Sequence, residues 1–132
     1  MDMNTTVTLV TVIFLLMLLL QTKHFVIDFL WQTYDEVMHK GTYGNKIGAM
    51  HSFKHAVATF LIFGMISPAK SVVLALLDFI LHYHIDWAKM NINSKFSFTP
   101  KDPKFWNLLG LDQFLHQLTY ILLMYLSIIK WG

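Results

Sequence analysis

The chain has no cysteine and no arginine, only three prolines and six glycines, and charged residues make up just 14% of its 132 positions. Without cysteine, neither a disulfide framework nor a thiolate metal site is available. Without arginine, the usual bidentate reader of phosphate is missing. A net charge of +2 is also too small for a nucleic-acid surface, so no nucleic-acid partner is expected. GxSxG, a Walker-type glycine loop and GxGxxG are all absent, which removes the common serine-hydrolase and nucleotide-binding signatures. Ser52 adjoins His51, but neighbouring helical residues do not face each other. A soluble domain carries about 25% charge. Here 55% of residues are hydrophobic and the mean hydropathy is +0.50, which points to lipid. With 11 Phe, 5 Tyr and 4 Trp the chain cannot remain disordered in water, and its length allows one domain.

Four apolar stretches approach the roughly 20 residues that cross about 30 Å of hydrocarbon as a helix. They predict an all-α fold: a polytopic membrane protein, a four-transmembrane-helix up-down bundle forming a single membrane domain over 1–132, with helices over about 7–31, 47–66, 71–89 and 103–130. A polar loop runs from Gln32 to Lys46, a tight turn is expected at Ser67-Pro68-Ala69-Lys70, and Asp102-Pro103 reads as N-cap and first helical position. The apolar N-terminus lacks a basic leader and a small-residue cleavage site, so it reads as a retained helix and not as a signal. Lys40, Lys46, Lys95, Lys101 and Lys104 fall on one side, and Lys70 and Lys130 on the other. The positive-inside rule then makes both termini extracytoplasmic in a bacterial inner membrane. Trp31, Trp87 and Trp106 mark the expected cytoplasmic boundary and Trp131 the opposite one.

Ionisable residues interrupt these stretches in pairs. His24 and Asp28, His51 and His55, His82 and Asp86, and Asp112 and His116 are each spaced i,i+4, so each pair projects from one helix face. The pairs lie at the end of the first helix, the start of the second, the end of the third and the start of the fourth. In an up-down-up-down bundle those places share one depth, at the cytoplasmic side. An ionisable group deep in a membrane helix costs about 2.5–3.5 kcal/mol to insert, so it normally faces a partner or a cavity. Five imidazoles and three carboxylates without thiolate predict a divalent metal: Zn first, with Mn or Fe as alternatives. A proton- or ion-conducting network and simple structural hydrogen bonding are the competing readings.

Other polar residues extend the same faces. Gln32 and Gln113 are expected to orient the ligand carboxylates. Asp78, one turn before His82, is expected deeper in the same cavity. His84 points about 200° away from His82 and is expected at the lipid or interface. Asp35, Glu36 and His39 are expected to be solvent-exposed loop residues. For catalysis, Asp112 or Asp86 would serve as general base and Lys89 would hold a phosphate-bearing substrate.

The runs His24 to Phe29 with Gln32, His51, His82 to Lys89, and Asp112 to His116 resemble, in order and spacing, the domain-of-unknown-function 3307 family. This group comprises small multi-pass membrane proteins of bacteria and phages. The resemblance spans about residues 15 to 125 and implies a helical membrane fold; the family's activity is unassigned. The chain is more distantly similar to inner-membrane metal-dependent hydrolases. Together these readings predict a membrane-embedded hydrolase in which metal-activated water attacks a phosphoryl or carbonyl group. The lipid bilayer, a lipid or phosphate-bearing small molecule, and a second copy of the chain are the expected partners. A small ion, proton or metabolite transporter, or a phage-encoded membrane immunity protein without catalysis, is the alternative.

Overall fold

The Leu- and Val-rich N-terminal segment forms α1 (Met3–Phe25), begun by Asp2, whose side chain accepts a 2.7 Å hydrogen bond from the Thr5 backbone N–H. In this computed structural model, which describes residues 2–129, α1 does not run straight to Trp31 as the hydropathy suggests. Its last turn, Val26–Leu30, widens to π-helical spacing, closed by a 2.8 Å bond from Trp31 N–H to the Val26 carbonyl. Such a turn redirects the side chains within it: Ile27 is buried, and Asp28 reaches His51 of α3 at 2.9 Å.

The expected polar loop contains a helix of its own, α2 (Tyr34–His39). Thr33 and Glu36 form a capping box: the Thr33 hydroxyl accepts from the Glu36 N–H at 3.2 Å, and the Glu36 carboxylate accepts from the Thr33 N–H at 2.8 Å. This corrects the reading of Glu36 as a solvent-exposed loop residue. It is 3% exposed and pairs at 2.6 Å with Lys54 of α3 (Lys46–Gly64). Asp35 is exposed and His39 half-buried. Gly48 lets α2 lie close on α3, because a Cβ there would sit 2.7 Å from the His39 carbonyl oxygen.

Burial works to raise the Glu36 carboxyl, but the Lys54 ammonium and the Thr33 hydrogen bonds outweigh it and hold the group below the usual carboxylate value. A carboxyl depressed in the fold contributes stability above its unfolded pKa, about 4.3, and loses it as pH falls through the lower folded value. Acidification from neutral pH to below that window is therefore expected to speed amide exchange across residues 34–40. Exchange that ignores pH, after correction for intrinsic rates, would contradict the pairing.

Ser67 caps α4 (Pro68–Phe96), with Pro68 in its first turn, so the expected four-residue turn is shorter than its composition implied. α4 also runs to Phe96, past the expected end at 89, and stops where Ser97 adopts a left-handed conformation (φ 53°). α5 (Pro103–Ile128) begins at Asp102-Pro103 as the sequence predicts. The Asp102 side chain turns back, accepting from the Thr99 N–H at 2.8 Å and the Thr99 hydroxyl at 2.9 Å. Lys130 and Trp131 lie outside the described residues.

The fold is all-α, with no strand among the described residues. α1 packs on α3 and α5, and α4 packs on the same two, so α1 and α4 face each other across the diagonal of a four-helix bundle. Leu16 and Leu20 of α1, Phe63 of α3, Leu74 of α4, and Leu123 and Met124 of α5 form an apolar core at one end. His24, His51, His82 and His116 meet toward the other end. Chain direction therefore alternates up, down, up and down. The outer faces are apolar: Phe14 and Leu18 of α1, Phe53 and Leu61 of α3, Val72 and Leu76 of α4, and Phe114 and Ile121 of α5 are all exposed.

Two segments, Met3–Leu30 and Pro68–Phe96, are long and apolar enough to cross a membrane. Only 11% and 33% of their most apolar windows are buried within the chain, so neither is an enclosed core helix. α3 and α5 fall short of the same measure because Lys46, His51, Lys54 and His55, and Asp112, Gln113, His116 and Gln117, interrupt them.

Candidate metal centre

The π turn of α1, the start of α3 and the second half of α4 bring four ligand-type side chains to one point. Asp28 Oδ1 lies 2.9 Å from His51 Nε2, 3.0 Å from His55 Nε2 and 3.7 Å from His82 Nε2. His51 Nε2 and His82 Nε2 are 3.2 Å apart. All four groups offer ligand atoms within 4.8 Å of one another, and the three imidazoles are fully buried. Zinc–nitrogen bonds of about 2.0–2.1 Å in a tetrahedron place neighbouring ligand atoms about 3.3–3.4 Å apart. The observed separations bracket that edge.

Hydrogen bonding alone satisfies this arrangement poorly. One carboxylate oxygen with two lone pairs faces three ring nitrogens. Of the two facing Nε2 atoms of His51 and His82, at most one can donate to the other. The Nδ1 atoms of His55 and His82 are buried without a partner in the structure.

A second set, His82, Asp86 and His116, adjoins the first on the α5 side. Asp86 Oδ2 is 3.4 Å from His82 Nε2, and Asp86 Oδ1 is 3.5 Å from His116 Nε2. Asp112 Oδ1 is 3.5 Å from the same His116 nitrogen, and both of these atoms are buried without a hydrogen bond. The sets overlap at His82, whose Nε2 has one lone pair and can serve one ion only. Asp86 Oδ2, 3.4 Å from His51 Nε2 as well, is the carboxylate placed to touch both sets.

Of the eight residues paired in the sequence, six fall in these two sets: Asp28, His51, His55, His82, Asp86 and His116. His24 and Asp112 stand beside them. His24 Nε2 lies 2.8 Å from Gln113 Oε1, its Nδ1 lies 2.8 Å from the Tyr120 hydroxyl, and that Nδ1 is 3.2 Å from Asp28 Oδ2. Both ring nitrogens are thus engaged, and His24 is built to orient Asp28. The His24–Gln113 contact ties α1 to α5, and Gln113 also donates to its neighbour Asp112 at Oδ2, 3.1 Å away. Gln32 Nε2 lies against the His51 ring, 3.3 Å from Nε2. His84 is exposed on the opposite face of α4.

A cleft of about 120 Å³ opens beside the two sets, walled by Asp28, Asp86 and Asp112, by Gln32 and Gln113, and by Lys40 and Lys89. Lys40 was legible only as a loop charge. The residue that ends α2 brings its ammonium 2.9 Å from Asp86 Oδ2.

One turn deeper, away from the loops, lies a polar layer of which the sequence suggested Asp78 alone. Lys23 of α1 and Asp78 of α4 form a buried ion pair across the diagonal, and Thr59 of α3 donates to Asp78 Oδ2 at 2.6 Å. The Lys23 ammonium also donates to the His55 carbonyl at 3.2 Å and lies 4.9 Å from the centre of the Tyr120 ring. It therefore supports the helix segment that carries His55. No local pattern marks Lys23 or Tyr120, since their partners lie on other helices.

The model of DUF3307, a protein family of unknown function, matches residues 12–131. The chain belongs to this family. Neither a curated protein nor a solved structure gives a match. The DUF3307 segment contains every residue of both ligand sets, the cleft and the Lys23–Asp78 layer.

Proposed function

We propose that this chain is a membrane-embedded, metal-dependent hydrolase whose four long helices all cross a bacterial inner membrane. Its His/Asp centre then faces the cytoplasm and both termini lie outside. Apolar exposed faces on all four helices support the span count, since α3 and α5 then turn their polar residues inward and Phe53, Leu61, Phe114 and Ile121 to lipid. The single observation that carries the activity is the convergence of Asp28, His51, His55 and His82 at ligand spacing beside an open polar cleft.

A divalent ion bound here, Zn before Mn or Fe, would supply Lewis acidity and lower the pKa of a bound water toward about 7. Asp28, His51, His55 and His82 would hold it, and the water would enter as a fifth ligand or in place of one of the four. Asp112, buried yet beside the cleft and held by Gln113, takes the water's proton as general base, with Asp86 as the second carboxylate in reach. Water's oxygen joins the phosphorus or carbonyl carbon of the substrate, the bond to the leaving oxygen breaks, and the proton passes to that oxygen. Lys89 holds the anionic part of the substrate in the cleft.

Hydrolysis of an aryl phosphate and an aryl ester by purified protein tests this reading. Activity on one of them is expected to vanish with a chelator and return with Zn, Mn or Fe. Asp112→Asn is expected to lower kcat by about 10²–10⁴, the usual worth of a general base, while metal content stays unchanged. Chelator-resistant hydrolysis, or none with metal bound, would refute it. The buried Lys23–Asp78 layer favours one rival, an ion or proton pathway continuing below the centre. That rival requires flux through proteoliposomes that depends on Asp78.

A further inference from the structure

An apolar groove between α4 and α5 meets the polar cleft at two shared residues, Lys89 and Asp112. The groove encloses about 220 Å³ between Leu81 and Ile85 on α4 and Leu111 and Leu115 on α5. The cleft continues beyond Lys89 and Asp112 toward Asp86 and Asp28. A molecule lying through both meets apolar walls, then the Lys89 ammonium beside the Asp112 carboxylate, then the ligand sets.

Lys89 is the cation still available to such a molecule. Its ammonium contacts the Met90 sulfur at 3.9 Å, and among the described residues no carboxylate forms an ion pair with it. Lys40, the other lysine of the cleft, is already paired with Asp86.

We propose that the occupant is a lipid with a phosphorylated head group, its chain in the α4–α5 groove and its phosphate on Lys89, facing the candidate metal centre. Reading this lipid as the substrate rests on the hydrolase proposal; its binding does not. Two features argue for a lipid over a soluble phosphate. Between Leu81 and Ile85 on one side and Leu111 and Leu115 on the other the groove offers apolar walls, which lipid chains line as readily as they line the outside of the bundle. The cationic site sits where that groove meets the polar cleft, within reach of a head group entering sideways from the bilayer. Selectivity among lipids then comes from the phosphate–ammonium contact.

Photo-crosslinking tests this on the full-length chain in phosphatidylcholine vesicles. The probe is phosphatidic acid with a photoreactive group on its acyl chain, and diacylglycerol with the same chain is the control. Phosphatidic acid is expected to label peptides containing Leu81–Ile85 and Leu111–Leu115 about tenfold or more over diacylglycerol, and Lys89→Gln is expected to remove that preference. Leu115→Trp, which fills the groove, is expected to cut labelling while metal content stays the same; Ala88→Leu fills it from the other wall if the Trp variant does not fold. Equal labelling by both probes, labelling spread over all helices, or full competition by glycerol phosphate in the aqueous phase would overturn the proposal. Labelling requires neither metal nor turnover. Specific labelling of protein that takes up no Zn, Mn or Fe when these are supplied would therefore sink the hydrolase reading alone, and metal-loaded protein without labelling would sink this inference alone.

Discussion

Asp28→Ala is expected to strip the chain of tightly bound metal while leaving the helix bundle intact. Asp28 Oδ1 is the atom on which His51, His55 and His82 converge, so its removal takes one corner from the proposed polyhedron and the only negative charge of the first set. Replacing even an outer partner of a metal ligand costs about 10–100-fold in affinity, so losing a direct ligand should exceed about a hundredfold. The bundle should survive because the apolar core of Leu20, Phe63, Leu74 and Leu123 lies at the far end. His24 also keeps Tyr120 and Gln113 as partners. Competition against a chromophoric chelator measures the loss. A variant that binds zinc as tightly as the parent would remove Asp28 from the ligand set.

Asp78→Ala is expected to cost about 3–5 kcal/mol of stability, because it leaves the Lys23 ammonium buried without its counter-charge. Replacing both members together, Lys23→Met with Asp78→Leu, removes the desolvation cost along with the attraction and is expected to be close to neutral or stabilising. With the single variants Lys23→Met and Asp78→Leu measured beside the double, the resulting double-mutant cycle is expected to show a large coupling energy. Reversible unfolding in mixed micelles with increasing denaturing detergent measures both. An Asp78→Ala cost under about 1 kcal/mol, the worth of an exposed pair, would contradict the buried pairing. The double variant also separates two roles: a hydrolase should keep its metal and activity in it, whereas an ion pathway through Asp78 should close.

The helical class, the alternation of direction and the start of α5 at Asp102-Pro103 were legible because they depend on local hydropathy and capping. The i,i+4 pairs were legible for the same reason: helical spacing alone puts His51 with His55 and His82 with Asp86. Which members share a point was not legible. It depends on how helices rotate against one another, and on a π turn that brings Asp28 to the α3 histidines and leaves His24 to Tyr120 and Gln113. Lys40 and Glu36 were hidden by the assumption that a polar segment is a loop, although Thr33 followed three residues later by Glu36 is a capping-box signal that could have revealed α2. Lys23 carried no such signal. A lysine near the end of an apolar helix reads as a snorkelling residue, and it is partners on other helices, Asp78, Thr59 and the His55 carbonyl, that turn it inward.

The central claim is that the convergent histidines and aspartates hold a metal ion. Elemental analysis by mass spectrometry of protein purified in mild detergent without chelator tests it most directly. At least one equivalent of zinc, manganese or iron per chain is predicted in the parent, falling to background in His51→Ala and His82→Ala. Folded protein that carries no stoichiometric metal, and takes up none when Zn, Mn or Fe is supplied, would contradict it.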